Sequence, residues 1–165
     1  MVTTSPGEFR TVMGHFATGV TVISAADGDT VHAATVCAVT PVTLEPPTVL
    51  VCVNRTSDTE SAIRASDRFA INMLSTAQQH VADACARKGV GKLDGLTFET
   101  GAGGTPVLAA TLAHLECSVL DAQVIGTHSV FLAAVAQTRT GAGDPLTVFR
   151  GRYGTLTTAA EGPTA

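Results

Sequence analysis

The sequence predicts a mainly β fold, a closed antiparallel barrel with a few peripheral helices. Most apolar segments are short, rich in β-branched residues and separated by turn signals such as Asp27-Gly28-Asp29. Few segments show the apolar spacing of a helix. Hydrophobic residues make up 45% of the 165 residues, enough to bury a full core without disulfides or metal. We expect one domain over residues 1–156 and a flexible tail over residues 157–165.

The first predicted element is a helix that begins after Ser5. Ser5 and Glu8 have the spacing of a capping box, and Pro6 suits the first helical position. Apolar residues then recur at helical spacing over residues 9–16. We expect this helix to end near Ala17, where a strand-like run begins.

Two further helices are predicted in the middle of the chain. Thr56 or Ser57 caps the first, which runs to about residue 65. Ser75 with Gln78 forms a second capping box and opens a helix that ends near residue 88. The prolines of residues 41–47 and the glycines of residues 89–106 predict loops. Strands are predicted at residues 20–23, 30–36, 48–53, 69–74, 113–125, 129–138 and 146–150.

Charge and composition exclude several classes of partner and site. The net charge is -4, whereas nucleic-acid binding needs a basic surplus. The longest apolar runs are far shorter than the ~20 residues of a membrane-spanning helix, and no signal-peptide pattern is visible, so we expect a cytoplasmic protein. No C-x-x-C motif occurs, which predicts reduced thiols and no metal site at the four cysteines, Cys37, Cys52, Cys85 and Cys117.

Basic residues concentrate in one part of this acidic chain. Residues 55–92 carry a net charge of +2 and the rest of the chain -6. Within this part, residues 54–59 leave a strand and enter a helix, so hydroxyls, a guanidinium and free N–H groups meet there. The pattern indicates a site for phosphate or pyrophosphate. A solvated surface with ordinary capping by Thr56 or Ser57 would explain the same residues.

Several stretches, taken in order, resemble the flavin reductase family, whose small members supply reduced flavin to partner monooxygenases. The match covers nearly all of residues 9–156, and its specificity comes from the order and spacing of the pieces. The stretches are Phe9-Arg10, Phe16-Ala17-Thr18-Gly19-Val20-Thr21-Val22, His32-Ala33-Ala34-Thr35-Val36-Cys37-Ala38, Leu44-Glu45-Pro46-Pro47, Val51-Cys52-Val53-Asn54-Arg55, Phe69-Ala70-Ile71-Asn72-Met73-Leu74, Gly126-Thr127-His128, Pro145-Leu146 and Gly151-Arg152-Tyr153.

The resemblance implies an FMN-binding split barrel of Greek-key topology that forms a homodimer. It implies FMN or FAD as the flavin, NADH or NADPH as the hydride donor, and a flavin-dependent monooxygenase as partner. Because the cofactors carry the chemistry of hydride transfer, no catalytic side chain is expected. The implied flavin-ring residues are Thr35, Val36, Cys37 and Ala38; the implied phosphate residues are Asn54, Arg55, Thr56, Ser57, Thr59 and Lys92; and the implied nicotinamide residues are His128, Arg152 and Tyr153.

The chain departs from the family pattern at three places. The usual Gly-Met-Thr-Ala-Asn-Ser is replaced by residues 33–38, so an amide and a hydroxyl become Cys37 and Ala38. This change predicts the loss of side-chain hydrogen bonds to the ring, ~0.5–1.5 kcal/mol each. Thr127 replaces an Asp before His128, and Leu93 replaces an aromatic residue. Two alternatives remain: a split-barrel flavoprotein that retains its flavin, acting on another substrate or only binding a cofactor, and a purely structural barrel.

Overall fold

The computed structural model describes residues 3–157, and the fold they form is mainly β. Three helices are present: α1 (Pro6–Met13), α2 (Asp58–Ser66) and α3 (Gln79–Ala86), the last preceded by a 3-10 turn at Thr76–Gln78. The strands are β1 (Thr18–Gly19), β2 (Thr21–Asp27), β3 (Thr30–Val36), β4 (Val39–Leu44), β5 (Pro47–Asn54), β6 (Arg68–Met73), β7 (Phe98–Thr100), β8 (Pro106–Leu108), β9 (Ala113–Ile125), β10 (His128–Thr140), β11 (Leu146–Phe149) and β12 (Arg152–Thr155).

The helix starts follow the predicted capping signals. The Ser5 side chain accepts a hydrogen bond from the Glu8 N–H, and the Glu8 carboxylate accepts one from the Ser5 N–H, which confirms the capping box. Ser75 and Gln78 form the second box. Ser57, one of the two predicted caps, is the N-cap of α2. Helix α1 ends at Met13, earlier than predicted, and none of its residues is buried.

Seven strands form one antiparallel sheet in the order β3-β2-β6-β9-β10-β5-β4. Its two edge strands, β3 and β4, are consecutive in the chain and are joined only by Cys37 and Ala38. We call the gap between the end of β3 and β5 the seam, formed by residues 35–38 on one side and residues 52–54 on the other. At one end of it, the Cys52 N–H donates to the Ala38 carbonyl at 3.0 Å, which extends the pairing of β4 with β5.

The predicted closed barrel is not confirmed, because within residues 3–157 no ladder of strand pairing joins β3 to β4 or β5. The predicted loop over residues 41–47 is wrong in part, since residues 39–44 form β4. Proline lacks the N–H that a central strand needs, but it is tolerated at an edge or a bulge. Pro41 meets both conditions: β4 is an edge strand, and its register shifts between Pro41 and Thr43.

Two smaller sheets complete the fold and were only partly predicted. β1, β11 and β12 form a three-stranded sheet, in which Thr18 pairs with Val148. β7 and β8 pair within and just after the predicted loop over residues 89–106. The last predicted strand, residues 146–150, is present as β11, and it forms a hairpin with β12, which was not predicted. None of the helices in the described part of the chain is long and apolar enough to cross a membrane.

Two apolar clusters stabilise these sheets. The first lies between the large sheet and α2 and includes Ile63, Phe69 and Phe131. The second lies around α3 and β11 and includes Val81 and Leu146. Both clusters consist mainly of aliphatic side chains.

Two buried polar residues join the strands to their surroundings. Asn72 is fully buried on β6; its Nδ2 donates to the Val22 carbonyl at 2.9 Å, and its Oδ1 accepts from the Leu108 N–H at 2.8 Å. Glu116, 2% exposed on β9, accepts from the Gly103 N–H at 2.9 Å. A Cβ added at Gly101 would stand 2.5 Å from that carboxylate, so the glycine-rich loop packs tightly over it.

Candidate functional site at the seam

A cavity of about 330 Å³ lies at the seam of the large sheet. We call it the seam cavity. It separates the end of β3 from β5, and the N-terminus of α2 and the start of β10 complete its wall. The lining residues are Ala34, Thr35, Val36, Cys37, Ala38, Cys52, Val53, Asn54, Ser57 and His128. The structure thus brings seven of the predicted site residues around one opening.

A second cavity, of about 420 Å³, adjoins the first. We call it the apolar cavity, because most of its wall is apolar. Cys37, Ala38 and Cys52 line both cavities, so the two cavities meet at the link between β3 and β4. The remaining lining residues are Met13, Gly14, Phe16, Thr18, Val39, Thr40, Leu50, Val148, Arg150 and Gly151.

The predicted ring-contacting residues have different surroundings. Thr35 donates its hydroxyl to the Ala82 carbonyl of α3 at 2.6 Å, so this side chain fixes α3 against β3. Val36 is buried in the first apolar cluster. Burial raises the pKa of the Cys37 thiol, and the neighbouring Thr18 hydroxyl acts in the opposite direction. Cys37 is therefore a neutral wall residue, and since Ala38 has no polar side chain, only backbone groups supply hydrogen bonds here.

The turn after β5 is shaped by the side chain of Asn54. Its Oδ1 accepts hydrogen bonds from the N–H and the hydroxyl of Thr56, both at 2.9 Å. Ser57 donates its N–H and its hydroxyl to the Asn54 carbonyl, and its Oγ caps the Glu60 N–H at 3.2 Å. The N–H groups of Thr56, Ser57 and Glu60 are thus already bonded. What the turn can present to an anion at the mouth of the seam cavity is the first turn of α2, which begins at Asp58.

The other predicted phosphate residues are not part of the cavity wall. Arg55 and Thr56 are exposed on the turn, beside the mouth. Thr59 is fully buried, and its hydroxyl has no hydrogen-bond partner in the described part of the chain, so in this structure it has no surface to offer a ligand. Lys92 lies in the loop after α3, close enough to Cys85 to lower the pKa of that thiol against the larger effect of burial.

His128 begins β10 and lies opposite Asn54 in the strand register. The side chain is exposed at the same end of the seam cavity as the turn over residues 54–57. The Thr127 hydroxyl lies 2.9 Å from His128 Nδ1. The expected carboxylate neighbour is thus replaced by a hydroxyl that can fix the ring orientation without adding charge.

A partly buried polar cluster holds α2 against β10 just behind this end of the cavity. Glu60, 5% exposed, accepts from Arg64 Nε at 2.6 Å and from the Ser129 hydroxyl at 2.5 Å. The Arg64 guanidinium lies over the Phe131 ring at 5.5 Å. Because a buried charge without its partner is costly, the three polar groups constrain one another. They fix the position of the helix N-terminus relative to His128.

Two predicted nicotinamide residues are outside the walls of both cavities, although Tyr153 is close to Cys37, which lines both. Arg152 is exposed on β12, and neither it nor Tyr153 lines the two cavity walls. Burial, and next the carboxylate of Asp83, raise the pKa of Tyr153. Their neighbours Arg150 and Gly151 line the apolar cavity instead.

Phe16, Thr18 and Arg150 are the site residues that sequence reasoning missed. All three lie within or beside stretches that resemble the flavin reductase family, namely residues 16–22 and 151–153. That resemblance was the available signal. It did not identify which side chains face the cavity, because that depends on the pairing of β1 with β11.

Comparisons with known proteins agree on one family. Residues 13–157 match the family model "Flavin reductase like domain". The chain is 42% identical, over 89% of its length and 79% of the relative, to the reductase component of a 4-nitrophenol 4-monooxygenase/4-nitrocatechol 2-monooxygenase from Rhodococcus opacus. It is 35% identical, over 93% of its length and 87% of the relative, to the NADH-dependent FMN reductase AsuE2 of Streptomyces nodosus subsp. asukaensis. Its structure resembles that of the flavin reductase PheA2, with a TM-score of 0.85 and 34% identity over 94% of this chain and 100% of that one.

Proposed function

Because the chain belongs to the flavin reductase family, we propose that it is an NADH-dependent flavin reductase that supplies reduced FMN or FAD to a partner monooxygenase. One observation carries the proposal: two adjoining cavities meet at the link between β3 and β4. Hydride transfer requires two flat rings in direct contact, and two cavities that meet at the same residues allow this. The reductase component from Rhodococcus opacus supports a monooxygenase as the recipient of the reduced flavin.

The residues of the seam suit both the ring and the phosphate of a flavin. At the ring, residues 35–38 present backbone groups at an unpaired sheet edge together with small side chains, which allow a planar ligand to approach closely. At the phosphate, Asn54 and Ser57 shape the turn that leads into α2, and the start of this helix suits an anion. Arg55, Thr56 and Lys92 add donors or positive charge nearby, and these roles remain predictions. When bound, the flavin ring supplies the chemistry, since it accepts hydride from a dihydronicotinamide.

The residues of this chain bind and orient the two ligands. Both cavities are lined by Cys37 and Ala38, so a ligand in either one would cover these residues. The neutral thiol of Cys37 adds no charge, so polar stabilisation of the ring falls to fixed backbone donors. His128 at the cavity mouth orients the nicotinamide side of the complex. This division of roles needs no titrating acid–base pair.

We also propose that the protein is a split barrel that functions as a cytoplasmic homodimer. The seam is the split, and a ligand in it would complete the contact between the sheet edges. Large apolar side chains are exposed on and next to α1, with Phe9, Val12 and Phe16 each at least 60% exposed, which favours burial against a second copy. The four cysteines are free, as is usual in a reducing compartment.

A turnover assay tests the proposed function directly. NADH and NADPH are each combined with FMN, FAD and riboflavin, and oxidation of the donor is followed under steady state. We expect oxidation that depends on added free flavin and is faster with NADH. A purified protein that remains yellow and shows no dependence on added flavin would favour the alternative in which the flavin is retained. A protein that neither oxidises NADH nor quenches flavin fluorescence would overturn the proposal.

A further inference from the structure

The turn after β5 is held by β10 at both of its ends. At its start, Asn54 lies opposite His128 in the strand register. At its end, Glu60 accepts a hydrogen bond of 2.5 Å from the hydroxyl of Ser129, the residue that follows His128. Ser129 is fully buried, so water does not compete for this bond. The position of the turn relative to His128 therefore depends on the bond between Glu60 and Ser129.

Glu60 lies where an uncompensated carboxylate would repel an anion. It is the third residue of α2 and is 5% exposed. Its N–H donates at 3.2 Å to the Oγ of Ser57, which lines the seam cavity. Its Oε1 accepts from Arg64 Nε at 2.6 Å and from Ser129. Because both donors bond to the same oxygen, the charge of Arg64 is placed directly on the carboxylate.

The charged side chains of residues 54–64 balance only when Arg64 is counted. They are Arg55, Asp58, Glu60 and Arg64, two cations and two anions. The guanidinium of Arg64 is held in place, since its Nη2 donates to Ser129 Oγ at 3.2 Å and it lies over the Phe131 ring at 5.5 Å. Without Arg64, this stretch would carry a net charge of -1 beside the start of α2.

We propose that Arg64 neutralises Glu60, and that Glu60 and Ser129 are positioning residues, so that the turn can hold a flavin phosphate. This inference rests on the proposed function and extends it to residues that line neither cavity. They act through the turn and through the start of α2. A phosphate monoester carries about -1.5 to -2 charges at pH 7, and an uncompensated carboxylate nearby would weaken its binding.

Replacing Arg64 with leucine tests the charge. Leucine fills part of the space over Phe131 but removes the guanidinium. We expect the Kd for FMN, measured at low salt by quenching of flavin fluorescence, to rise roughly three- to tenfold, and to rise less at high salt. The Kd for riboflavin, which has no phosphate, should stay near the wild-type value. Arg139→Leu, at an exposed arginine of β10 outside both cavities, is the matched control.

A second substitution separates the loss of charge from the loss of packing. Glu60→Gln in the Arg64→Leu background removes the uncompensated carboxylate and keeps an oxygen that can accept from Ser129. We expect the Kd for FMN in this double variant to return towards the wild-type value. Equal weakening of FMN and riboflavin in Arg64→Leu, or no recovery in the double variant, would overturn the neutralising role.

Ser129→Ala tests positioning, with Ser24→Ala as its matched control. Both serines are fully buried in the large sheet, and Ser24 donates to the Pro106 carbonyl at 2.6 Å, outside both cavities. Each substitution leaves a buried acceptor without a donor, so both should lower the free energy of unfolding. Only Ser129→Ala should raise the Kd for FMN and the KM for NADH, with little change in kcat. Equal losses in Ser24→Ala would reveal general destabilisation and overturn the positioning role.

Hydrogen exchange tests the same role without any ligand. The Arg55 N–H donates to the Thr127 carbonyl at 3.1 Å, so exchange at this amide, followed by NMR, measures how often the turn opens. We expect faster exchange in Ser129→Ala than in Ser24→Ala, and equal rates would overturn the positioning role. If exchange accelerates but the wild-type protein reduces no flavin, the positioning role stands and the proposed function fails. If the wild-type protein reduces flavin but binds FMN no more tightly than riboflavin, the turn holds no phosphate and only this inference fails.

Discussion

Replacing Asn54 with alanine tests whether the turn after β5 binds the flavin phosphate. The substitution removes the two 2.9 Å hydrogen bonds that Asn54 Oδ1 accepts from Thr56. Each is worth about 0.5–1.5 kcal/mol, and because the turn is exposed, water replaces part of this. We expect a loss of about 1–2 kcal/mol in ordering the turn, which corresponds to a five- to thirtyfold rise in the Kd for FMN.

Quenching of flavin fluorescence measures the effect with two ligands. FMN carries the phosphate and riboflavin does not, so only the Kd for FMN should rise. Asn54→Asp keeps an acceptor for Thr56 but adds a negative charge beside the phosphate, and should weaken FMN binding at least as much. Thr43→Ala is the control, because Thr43 Oγ1 accepts from the Glu45 N–H in a comparable turn outside both cavities. Equal weakening of both ligands by Asn54→Ala would refute the assignment.

Four other perturbations have defined outcomes. Asn72→Ala leaves buried backbone groups of β2 and β8 without partners and should lower the free energy of unfolding in urea by about 2–4 kcal/mol; a loss under 1 kcal/mol would contradict this. Burial raises the pKa of Cys117 to about 12 from 9.0. Below pH 9 the thiol is protonated in both the folded and the unfolded protein, whereas between pH 9 and pH 12 it ionises only in the unfolded protein. The free energy of unfolding should therefore fall by up to about 1.4 kcal/mol per pH unit in this range, and Cys117→Ala should flatten that slope. Gly101→Ala should cost about 1–3 kcal/mol in thermal or urea unfolding, because its Cβ meets a buried carboxylate, while Gly7→Ala, with open space around it, should not destabilise. His128→Ala should raise the KM for the nicotinamide more than that for flavin, and unchanged values would remove its assigned role.

Local signals in the sequence predicted local structure well. The capping boxes at Ser5 and Ser75 fixed where helical structure begins, because their hydrogen bonds join residues three apart. The turn at residues 27–29 joins β2 to β3, and Gly28 has the positive φ of 57° that such a turn requires. The long run of β9 was predicted with its correct bounds, since alternation over many residues is a strong signal.

The errors lie where tertiary contacts outweigh local preference. Pro41 suggested a loop, but an edge strand with a bulge tolerates a residue that lacks an N–H. β12 was missed because the turn before it depends on Arg150 at a positive φ, which its residue type does not indicate. Barrel closure was predicted from short strands, turn signals and few helices, and this pattern does not reveal whether the last edge finds a partner.

In the candidate site, too, local stretches were predicted and features that depend on tertiary packing were missed. The resemblance supplied residues 35–38 and 54–57, and the structure gathers most of them around the seam cavity. It did not identify Arg150 as a cavity residue, and it did not indicate that Thr59 is buried. Both depend on how α1 and α2 pack. The predicted tail over residues 157–165 lies almost wholly outside the described residues, so the domain boundary at residue 156 stays a prediction.

The two-residue link between β3 and β4 limits how this site can change in evolution. In a strand, insertion of one residue moves every following side chain to the opposite face. A longer link at Cys37 and Ala38 would therefore either turn the side chains of β4 over or push a bulge into the space the ligands need. Small side chains can replace one another at these positions, but the length of the link cannot change. Relatives that differ in ligand preference should accordingly differ here by substitution and keep the same number of residues.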